Sequence, residues 1–498
     1  DMTAIPIPLT STHELFLDEY LIATSERLRL RVNPVRKHPR NPVIRPTEDW
    51  EPRGYIAFGS VLQDPRDGLY KAWCMALGGL DAAPAGAEPG APALCYFTSE
   101  DGVEWEGPEL GLVRIGSADT NIVAFGGEGE QPAAFEDLYE FFGVSIDDSD
   151  PDPDRRFKMG FLHFIREYEG ADGHPTYPGQ QRGLGVAFSP DGIHWQRQPG
   201  WVTHATGDGY TSWMRDPRSG RWVLYGRGRH IAPEVRQKWS EEELKHHWGR
   251  AVTRAESDDF IHWEPEFGDI ILSSDTEDGP MHEIYGMSVF PYEDIYIGLV
   301  QMFYNYPEHL DLDLQLAVSR DGIHFQRLSD RSAFIPVGGV GEWDRMNNSP
   351  ANSEPLRVGD ELRFYYGGRN ERHNSIHRLA DDGILAALPF TGGVGMGSVP
   401  VDRFAGLEAS FDTGWLVTRP LLIDAETIHV NADVRFGILE VCVLAESGEP
   451  IDGCSTEILN EDGVDIPLLA DLPALPADRP VRLELRLTNG RLYSIWAN

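Results

Sequence analysis

The sequence predicts an all-β protein, a five-bladed β-propeller followed by a C-terminal β-sandwich. Three observations predict this fold. One short phrase recurs four times, five β-hairpins follow one another over the first 400 residues, and the end of the chain alternates apolar and polar residues. We therefore divide the chain into an N-terminal segment at 1–30, a propeller at 31–404 and a sandwich at 405–498.

The recurring phrase is a turn that follows a β-rich run. It reads SEDGVEW at 99–105, SPDGIHW at 189–195, SDDFIHW at 257–263 and SRDGIHF at 319–325. Asp-Gly supplies a tight turn with positive φ, and the aromatic residue re-enters the sheet. The third copy has Phe260 in place of glycine, so we leave its turn type open. We predict that the four aspartates are structural and cap backbone N–H groups: Asp101, Asp191, Asp259 and Asp321.

Five hairpins lie between the copies of this turn, each with an apolar strand, a polar turn and an aromatic-rich strand. They cover 55–76, 141–164, 210–229, 287–304 and 351–368. With the strand before each recurring turn, a unit has about four strands, the make-up of a propeller blade. The segment ELFLDEYLI at 14–22 is a candidate to close the ring by pairing with the last blade. The capping box SEEE at 240–243 predicts a helix that begins at Ser240.

Composition excludes several partners. The chain has 498 residues and a formal net charge of −37, which would repel nucleic acids and anionic membranes. Four cysteines without a CxxC pair predict neither a disulfide framework nor a zinc site, so we expect no cofactor. With no apolar run of about 18 residues and no visible signal peptide, we expect a cytoplasmic protein, and a mature secreted chain is equally compatible with the N-terminus. The oligomeric state stays open.

Two segments add a family resemblance to this architecture: NPVIRPTEDWE at 41–51, and LVTRPLLI at 416–423 followed by HVNADV. They resemble the first-blade entry and the sandwich of the glycoside hydrolases of family 32. The propeller alone also resembles families related to family 43, and the whole chain is similar to family-32-like bacterial hydrolases. The resemblance implies a glycosidase that acts on a carbohydrate substrate, a furanoside or another non-reducing-end glycoside, by hydrolysis or transfer.

The chain departs from family 32 in its motifs. The Trp-Met-Asn-Asp-Pro-Asn and Glu-Cys motifs of the family are absent, and Arg215-Asp216-Pro217 matches only the Arg-Asp-Pro motif. Since that stretch comes directly before a hairpin turn, we interpret Asp216 as a turn residue.

Glycoside cleavage needs two carboxylates. The resemblance implies that they lie where the first strand of a propeller blade begins. There, Glu136 and Asp137 lie in ordinary acidic loop sequence, whereas three other carboxylates have glycine, aromatic or amide neighbours. We predict Glu283 as the general acid, Asp208 as its catalytic partner, and Asp344 as a group that orients substrate or tunes a pKa. Candidate substrate-binding residues are Glu51, Arg53, Trp213, Arg227, Tyr285, Trp343, Arg345 and His373. No histidine or cysteine spacing predicts a metal site.

Two other functions remain open. A non-catalytic carbohydrate-binding propeller would have aromatic residues but only one inward carboxylate. A sialidase-like enzyme would have converging arginines and a nucleophilic tyrosine, and the recurring turn is one residue shorter than the Asp-box of sialidases.

Overall fold

The computed structural model describes residues 5–129, 131–164, 182–206, 208–306, 309–373, 392–469 and 479–498. Their regular secondary structure is nearly all β-strand, which confirms that the protein is all-β. Their helices are α1 (Pro233–Lys238) and a 3-10 turn at Pro153–Arg155. Neither is long enough to cross a membrane. The capping box at 240–243 forms its hydrogen bonds, but it caps a turn instead of a helix.

Five short strands precede the first hairpin. They are β1 (Ile7–Leu9), β2 (Glu14–Leu15), β3 (Ile22–Glu26), β4 (Arg29–Val32) and β5 (Arg36–Lys37).

The described strands between residues 55 and 400 form five successive antiparallel meanders. The first is β6 (Tyr55–Gln63), β7 (Tyr70–Ala76) and β8 (Ala93–Ser99), followed by the small strands β9 (Arg114–Ile115) and β10 (Ala118–Asp119), then β11 (Ile122–Gly126) and β12 (Ala134–Phe135). The second is β13 (Leu138–Ile146), β14 (Phe157–Phe164), β15 (Arg182–Ser189) and β16 (Gln196–Arg197). The third is β17 (Ser212–Arg215), β18 (Trp222–Arg229), β19 (Arg250–Ser257) and β20 (Trp263–Leu272).

The fourth meander is β21 (His282–Tyr292), β22 (Ile295–Tyr304), β23 (Asp311–Ser319) and β24 (Gln326–Arg327). The fifth is β25 (Asn347–Pro350), β26 (Leu356–Val358), β27 (Glu361–Arg369) and β28 (Gly392–Pro400), with β5 as its outer strand. One parallel bridge, Leu312 to Asn347, joins the fourth and fifth meanders. The second strands β7 and β22 are buried on both faces, because each sheet packs between two others.

Hydrogen bonds connect the first strands of four meanders with one another and with the two residues that follow β25, the first strand of the fifth. Small polar side chains carry these bonds, since they fit where strands approach closely. The bonds are Ser60 Oγ to the Asn352 carbonyl (2.7 Å), Val144 N–H to Ser60 Oγ (2.9 Å), Trp213 N–H to Asn352 Oδ1 (3.2 Å), Ser212 Oγ to the Met287 carbonyl (2.7 Å) and Ser288 Oγ to the Ala351 carbonyl (3.0 Å).

The C-terminal strands form two sheets around one apolar core. These strands are β29 (Ala405–Ala409), β30 (Gly414–Thr418), β31 (Leu421–Ile423), β32 (Ile428–Asp433), β33 (Ile438–Ala445), β34 (Pro450–Leu459), β35 (Asp462–Leu469), β36 (Val481–Thr488) and β37 (Gly490–Ala497). Their alternating burial, as in β36, places one face of each sheet in that core.

The N-terminal segment pairs with these C-terminal sheets. Strands β1, β2, β3 and β4 pair with β31, β37, β30 and β29. The expected ring closure by residues 14–22 is therefore wrong. The strand that joins the last meander is β5, through Lys37 and Arg36 opposite Gly397 and Ser398.

All four copies of the recurring turn have the same geometry. In each copy the aspartate Oδ1 accepts hydrogen bonds of 2.8–2.9 Å from the backbone N–H groups two and three residues later. The serine Oγ accepts from the aspartate N–H and from the residue after it. The predicted capping by the aspartates is confirmed, and Phe260 takes the glycine conformation, with φ of 68°.

Candidate functional site

A cavity of about 530 Å³ lies where the five meanders meet, and every meander contributes to its wall. Apolar residues from β6 and β7, such as Phe58 and Met75, form one side. The other sides carry an unusual number of charges for a buried surface. The carboxylates that line the cavity are Glu140, Asp208 and Glu371. The guanidinium groups that line it are Arg182, Arg227, Arg250, Arg369 and Arg372.

Glu140 lies near the start of β13 with its carboxyl group in the cavity. Its Oε2 atom is buried and has no hydrogen-bond partner among the described residues. Burial, and next the negative charge of Asp208, raise the pKa of Glu140 to about 7. A carboxyl group in this environment holds a proton near neutral pH and can donate it.

Asp208 lies in the same cavity, in the loop before β17, and has a polar environment. Its Oδ1 accepts a 2.8 Å hydrogen bond from the Gly209 N–H and lies 3.3 Å from a guanidinium nitrogen of Arg182. The side chain is 35% exposed, so water also reaches it. Asp208 therefore has polar, charged and solvent neighbours, in contrast to the buried oxygen of Glu140.

Arg227 and Tyr285 form one unit in the cavity wall. The Arg227 Nε donates a 2.9 Å hydrogen bond to the Tyr285 carbonyl, and the guanidinium lies 3.9 Å from the centre of the Tyr285 ring. Gly209 packs on this guanidinium with φ of 65°, and a Cβ there would lie 2.0 Å from Nη2. Burial raises the pKa of the Tyr285 phenol.

His373 completes this wall, since its ring meets Tyr285 edge-on, with the ring centres 4.8 Å apart. Asp208, Arg227, Tyr285 and His373 are thus the predicted site residues that line the cavity.

Glu283 does not line the cavity, and its geometry contradicts the general-acid prediction. Its carboxylate is fully buried behind Arg250. Four donors face its two oxygens: the N–H groups of Trp248 (2.8 Å) and Arg250 (3.0 Å), the Arg250 guanidinium (2.8 Å) and the Asn305 amide (2.8 Å). A proton on either oxygen would point at a donor, so Glu283 is a positioning residue for Arg250.

Asp344 is also fully buried outside the cavity wall. Its Oδ2 accepts from Lys37 Nζ at 2.6 Å and from the Tyr366 hydroxyl at 2.9 Å, so it ties β5 to the fifth meander. Trp343 stacks on Tyr366, with ring centres 5.8 Å apart. Arg345 is half-buried and lies outside the wall as well. These positions do not suit the predicted contacts with substrate.

Three further predicted residues also lie outside the wall. The Glu51 carboxylate accepts the Tyr55 hydroxyl at 2.7 Å and backbone N–H groups of its own turn. Trp213 is packed between meanders, with Nε1 donating to Ser145 Oγ at 2.8 Å. Arg53 is exposed near the rim, where a Cβ on Gly78 of the wall would lie 3.5 Å from its Nη2.

Asp216 has the predicted turn role, because it accepts hydrogen bonds from the backbone N–H groups of Arg218 and Ser219. No group of three or more histidine, cysteine, aspartate or glutamate side chains in the described part of the chain is placed to hold a metal ion.

Sequence reasoning missed Glu140 and every arginine of the described wall except Arg227. Glu140 follows Tyr139 at the entry to a first strand, which is the same pattern that singled out Glu283 beside Tyr285. The signal is present, but the predicted hairpin begins at Phe141 and leaves Glu140 outside it. For Arg250, Arg369 and Arg372 no local pattern exists, because strands of different meanders bring them together.

No family model and no curated protein matches the chain. Among solved structures it is similar to a GH130 structure described with mannoside phosphorylases and with glycoside hydrolases that target beta-1,2 mannosidic linkages in Candida mannan (14% identity, 74% of this chain and 94% of that chain, TM-score 0.45). It is also similar to an N-acetylgalactosamine deacetylase from F. plautii, with 14% identity over 75% of this chain and 96% of that chain and a TM-score of 0.43. A third similar structure is a family 43 arabinoxylan arabinofuranohydrolase from Bacillus subtilis, with 11% identity over 91% of this chain and 96% of that chain and a TM-score of 0.39. At these TM-scores the likenesses assign no activity to the chain.

Proposed function

We propose that this protein cleaves glycosidic bonds in the cavity at the centre of a five-bladed propeller, with Glu140 as the general acid and Asp208 as its catalytic partner. The observation that carries the proposal is a pair of carboxylates in one cavity whose surroundings differ. Burial raises the pKa of Glu140 to about 7, whereas Asp208 is partly exposed and contacts Arg182 and a backbone N–H.

The five meanders supply the architecture of this proposal. The first strands of four meanders are hydrogen-bonded to one another and to the two residues that follow β25, and β5 completes the fifth sheet with residues from the start of the chain. Five sheets around one centre place the starts of their first strands together, as in a propeller.

The chemistry divides between the two carboxylates. Glu140 gives its proton to the leaving oxygen as the bond from that oxygen to the anomeric carbon breaks. Asp208 then either attacks the anomeric carbon or takes a proton from the water that does so. If Asp208 attacks, it forms a glycosyl ester, and water that gives a proton to the deprotonated Glu140 then cleaves this ester, so both carboxyl groups return to their starting states. If Asp208 instead takes a proton from the attacking water, it releases that proton to solvent, and Glu140 takes up a proton from solvent.

The cavity wall also suits a sugar. Aromatic rings of Tyr139, Tyr285 and Trp248 line it and offer apolar faces for stacking. The Gln301 amide nitrogen donates to the Asn348 carbonyl and Ser349 Oγ, which leaves its buried Oε1 without a partner among the described residues. That oxygen would accept a hydrogen bond from a sugar hydroxyl.

A sialidase-like enzyme is the second candidate, because Tyr285 and several arginines line the same cavity. In that reaction the Tyr285 phenol gives its proton to a carboxylate of the wall and attacks the anomeric carbon, the protonated leaving group departs, and water then cleaves the bond between tyrosine and sugar. A Tyr285→Phe variant would lose all turnover in that case, whereas paired-carboxylate catalysis would lose only binding contacts. A purely carbohydrate-binding propeller is disfavoured by the presence of both Glu140 and Asp208.

The test begins with a screen of aryl glycosides and fructans, with NMR identification of the first-formed anomer. On a substrate with a poor leaving group, Glu140→Gln should then lower kcat/KM by about 10²–10⁴-fold. On an activated aryl glycoside the loss should be much smaller, because the leaving oxygen needs little protonation. Asp208→Asn should be impaired on both substrates.

Glu136→Gln is the matched control. Glu136 is an exposed carboxylate four residues earlier and lies outside the cavity wall, so its variant should keep full activity. Wild-type kcat/KM in Glu140→Gln on the poor-leaving-group substrate would overturn the assignment.

A further inference from the structure

The charge of the cavity wall is opposite to that of the whole chain. The chain has 80 acidic and 43 basic side chains. The described wall of the cavity has five arginines against three carboxylates, and burial raises the pKa of one of these, Glu140, to about 7. A surface that reverses the sign of the whole molecule requires a specific reason. Arginine in particular recognises planar or tetrahedral oxyanions through its fork of donors.

Two of the five arginines already have partners within the wall. Arg182 lies 3.3 Å from Asp208, and Arg227 is bound to the Tyr285 carbonyl and ring. They position the proposed catalytic partner and the aromatic wall. The other arginines of the described wall are Arg250, Arg369 and Arg372.

Arg250 is held in place from behind. Glu283, which is fully buried, binds one of its terminal nitrogens at 2.8 Å, and the rings of Trp248 and Phe303 lie 5.0 and 5.1 Å from the guanidinium. A guanidinium fixed on one side by a carboxylate presents its other donors in a defined direction. This is how a binding arginine is preorganised.

Arg369 lacks such a counter-charge. It lies at the end of β27, and its Nε is buried with no hydrogen-bond partner among the described residues. No carboxylate in the described part of the chain is within ion-pair distance of its guanidinium, although Glu371 and Glu140 act on it from farther away. Burial lowers the pKa of Arg369, the sign of a charge that lacks compensation. A buried, unsatisfied donor of this kind costs stability unless a ligand satisfies it.

We propose that Arg250 and Arg369, with Arg372 at their side, form a subsite for an oxyanion beside the glycosidic site. The inference rests on the proposed function, because it names the substrate class of that cavity. The oxyanion is either a carboxylate carried by the sugar, as in a uronic acid, or a free anion such as inorganic phosphate bound next to the sugar. Both present oxygen atoms that paired guanidinium groups bind.

The test measures binding in the Glu140→Gln background, so that turnover plays no part. The probes are glucuronate and galacturonate, their neutral parents glucose and galactose, and inorganic phosphate, each titrated by calorimetry at low and high salt. If the sugar carries the anion, a uronate should bind at least 10-fold more tightly than its neutral parent. If the anion is free, phosphate should bind by itself and the uronates should show no preference.

Arg369→Gln should weaken the binding of the preferred anion by about 10–100-fold, the loss of a charge-assisted contact, and leave the neutral sugar unaffected. Arg372→Gln is the second variant if Arg369→Gln does not fold, as judged by circular dichroism. Arg114→Gln is the control, since Arg114 is an exposed arginine outside the wall.

The proposal is overturned if no probe shows anion-dependent binding, or if the anion binds Arg369→Gln and Arg372→Gln as tightly as the parent. The glycosidase proposal fails by a separate result, which is unchanged hydrolysis in Glu140→Gln.

Discussion

Glu140 and Glu283 are both carboxylates beside a tyrosine at the entry to a first strand, yet they have opposite environments. Glu283 is enclosed by four donors, whereas one oxygen of Glu140 has no partner among the described residues. The difference arises from donors 22 to 35 residues away in sequence for Glu283, and for Glu140 from burial and, next, from the charge of Asp208. A sequence pattern can therefore place a carboxylate at a strand entry, but it cannot say whether donors surround it.

The raised pKa of Glu140 predicts that this residue destabilises the fold at high pH. Its folded pKa of about 7 lies above the ordinary value of 4.5. Folding therefore carries no penalty from Glu140 below pH 4.5, a growing penalty as pH rises from 4.5 to 7, and the full penalty above pH 7.

Glu140→Gln removes this titration. The melting temperature of the variant minus that of the parent should be larger at pH 8 than at pH 4.5, as measured by calorimetry at both pH values. Glu136→Gln, with an exposed carboxylate, should show no such change. An equal difference between parent and Glu140→Gln at the two pH values would contradict the burial argument.

At the scale of elements, the hairpins and the recurring turns could be predicted because their information is local. Asp-Gly turns and alternating strands specify themselves within a few residues. The third copy shows the limit of this reasoning. Phe260 occupies the positive-φ position that glycine takes in the other copies, because its ring fills a core. The rings of Trp213, Trp222 and Trp263 lie edge-on, with centres 5.1–5.5 Å from that of Phe260.

Phe260→Gly tests whether backbone strain at positive φ or packing of the Phe260 ring has the larger effect on stability in this turn. Glycine relieves a backbone strain of about 1–2 kcal/mol, but loss of the ring from a packed core costs about 3–5 kcal/mol. We expect a net loss of about 1–4 kcal/mol in the free energy of unfolding, measured with urea. Gly192→Ala, at the same position in the second copy, has φ of 78° and should also destabilise, because it adds strain without a ring to bury. A Phe260→Gly variant as stable as the parent would show that strain outweighs packing here.

At the scale of the whole molecule, the sequence did not predict how the two ends of the chain meet. Strands β1 to β4 are short, and their partner residues lie between 373 and 481 residues away in sequence. Short strands specify their register weakly, so their pairing depends on which partner edge is open and on which core needs their apolar side chains. Ile7, Leu9 and Phe16 are all buried in the core between the C-terminal sheets.

This arrangement predicts that residues 405–498 do not fold by themselves. Without the N-terminal strands, β29 and β30 lose a neighbour each, and the apolar core loses the side chains of Ile7, Leu9 and Phe16. Exposed edges and an incomplete core favour aggregation over a cooperative fold. A fusion that joins residues 5–33 to residues 405–498 through a short linker should fold. The two ends to be joined are close together, because the Asn33 N–H donates a 2.9 Å hydrogen bond to the Phe404 carbonyl.

Urea unfolding followed by tryptophan fluorescence, together with limited proteolysis, distinguishes the two chains. The fusion should unfold in one cooperative transition, and residues 405–498 alone should show none and be digested rapidly. A control fusion with Leu9 and Phe16 changed to serine should behave like 405–498 alone, since burial of those side chains is what the N-terminal strands contribute. If residues 405–498 alone unfold with the same midpoint as the fusion, the C-terminal sheets are an independent domain and the N-terminal strands only cover it.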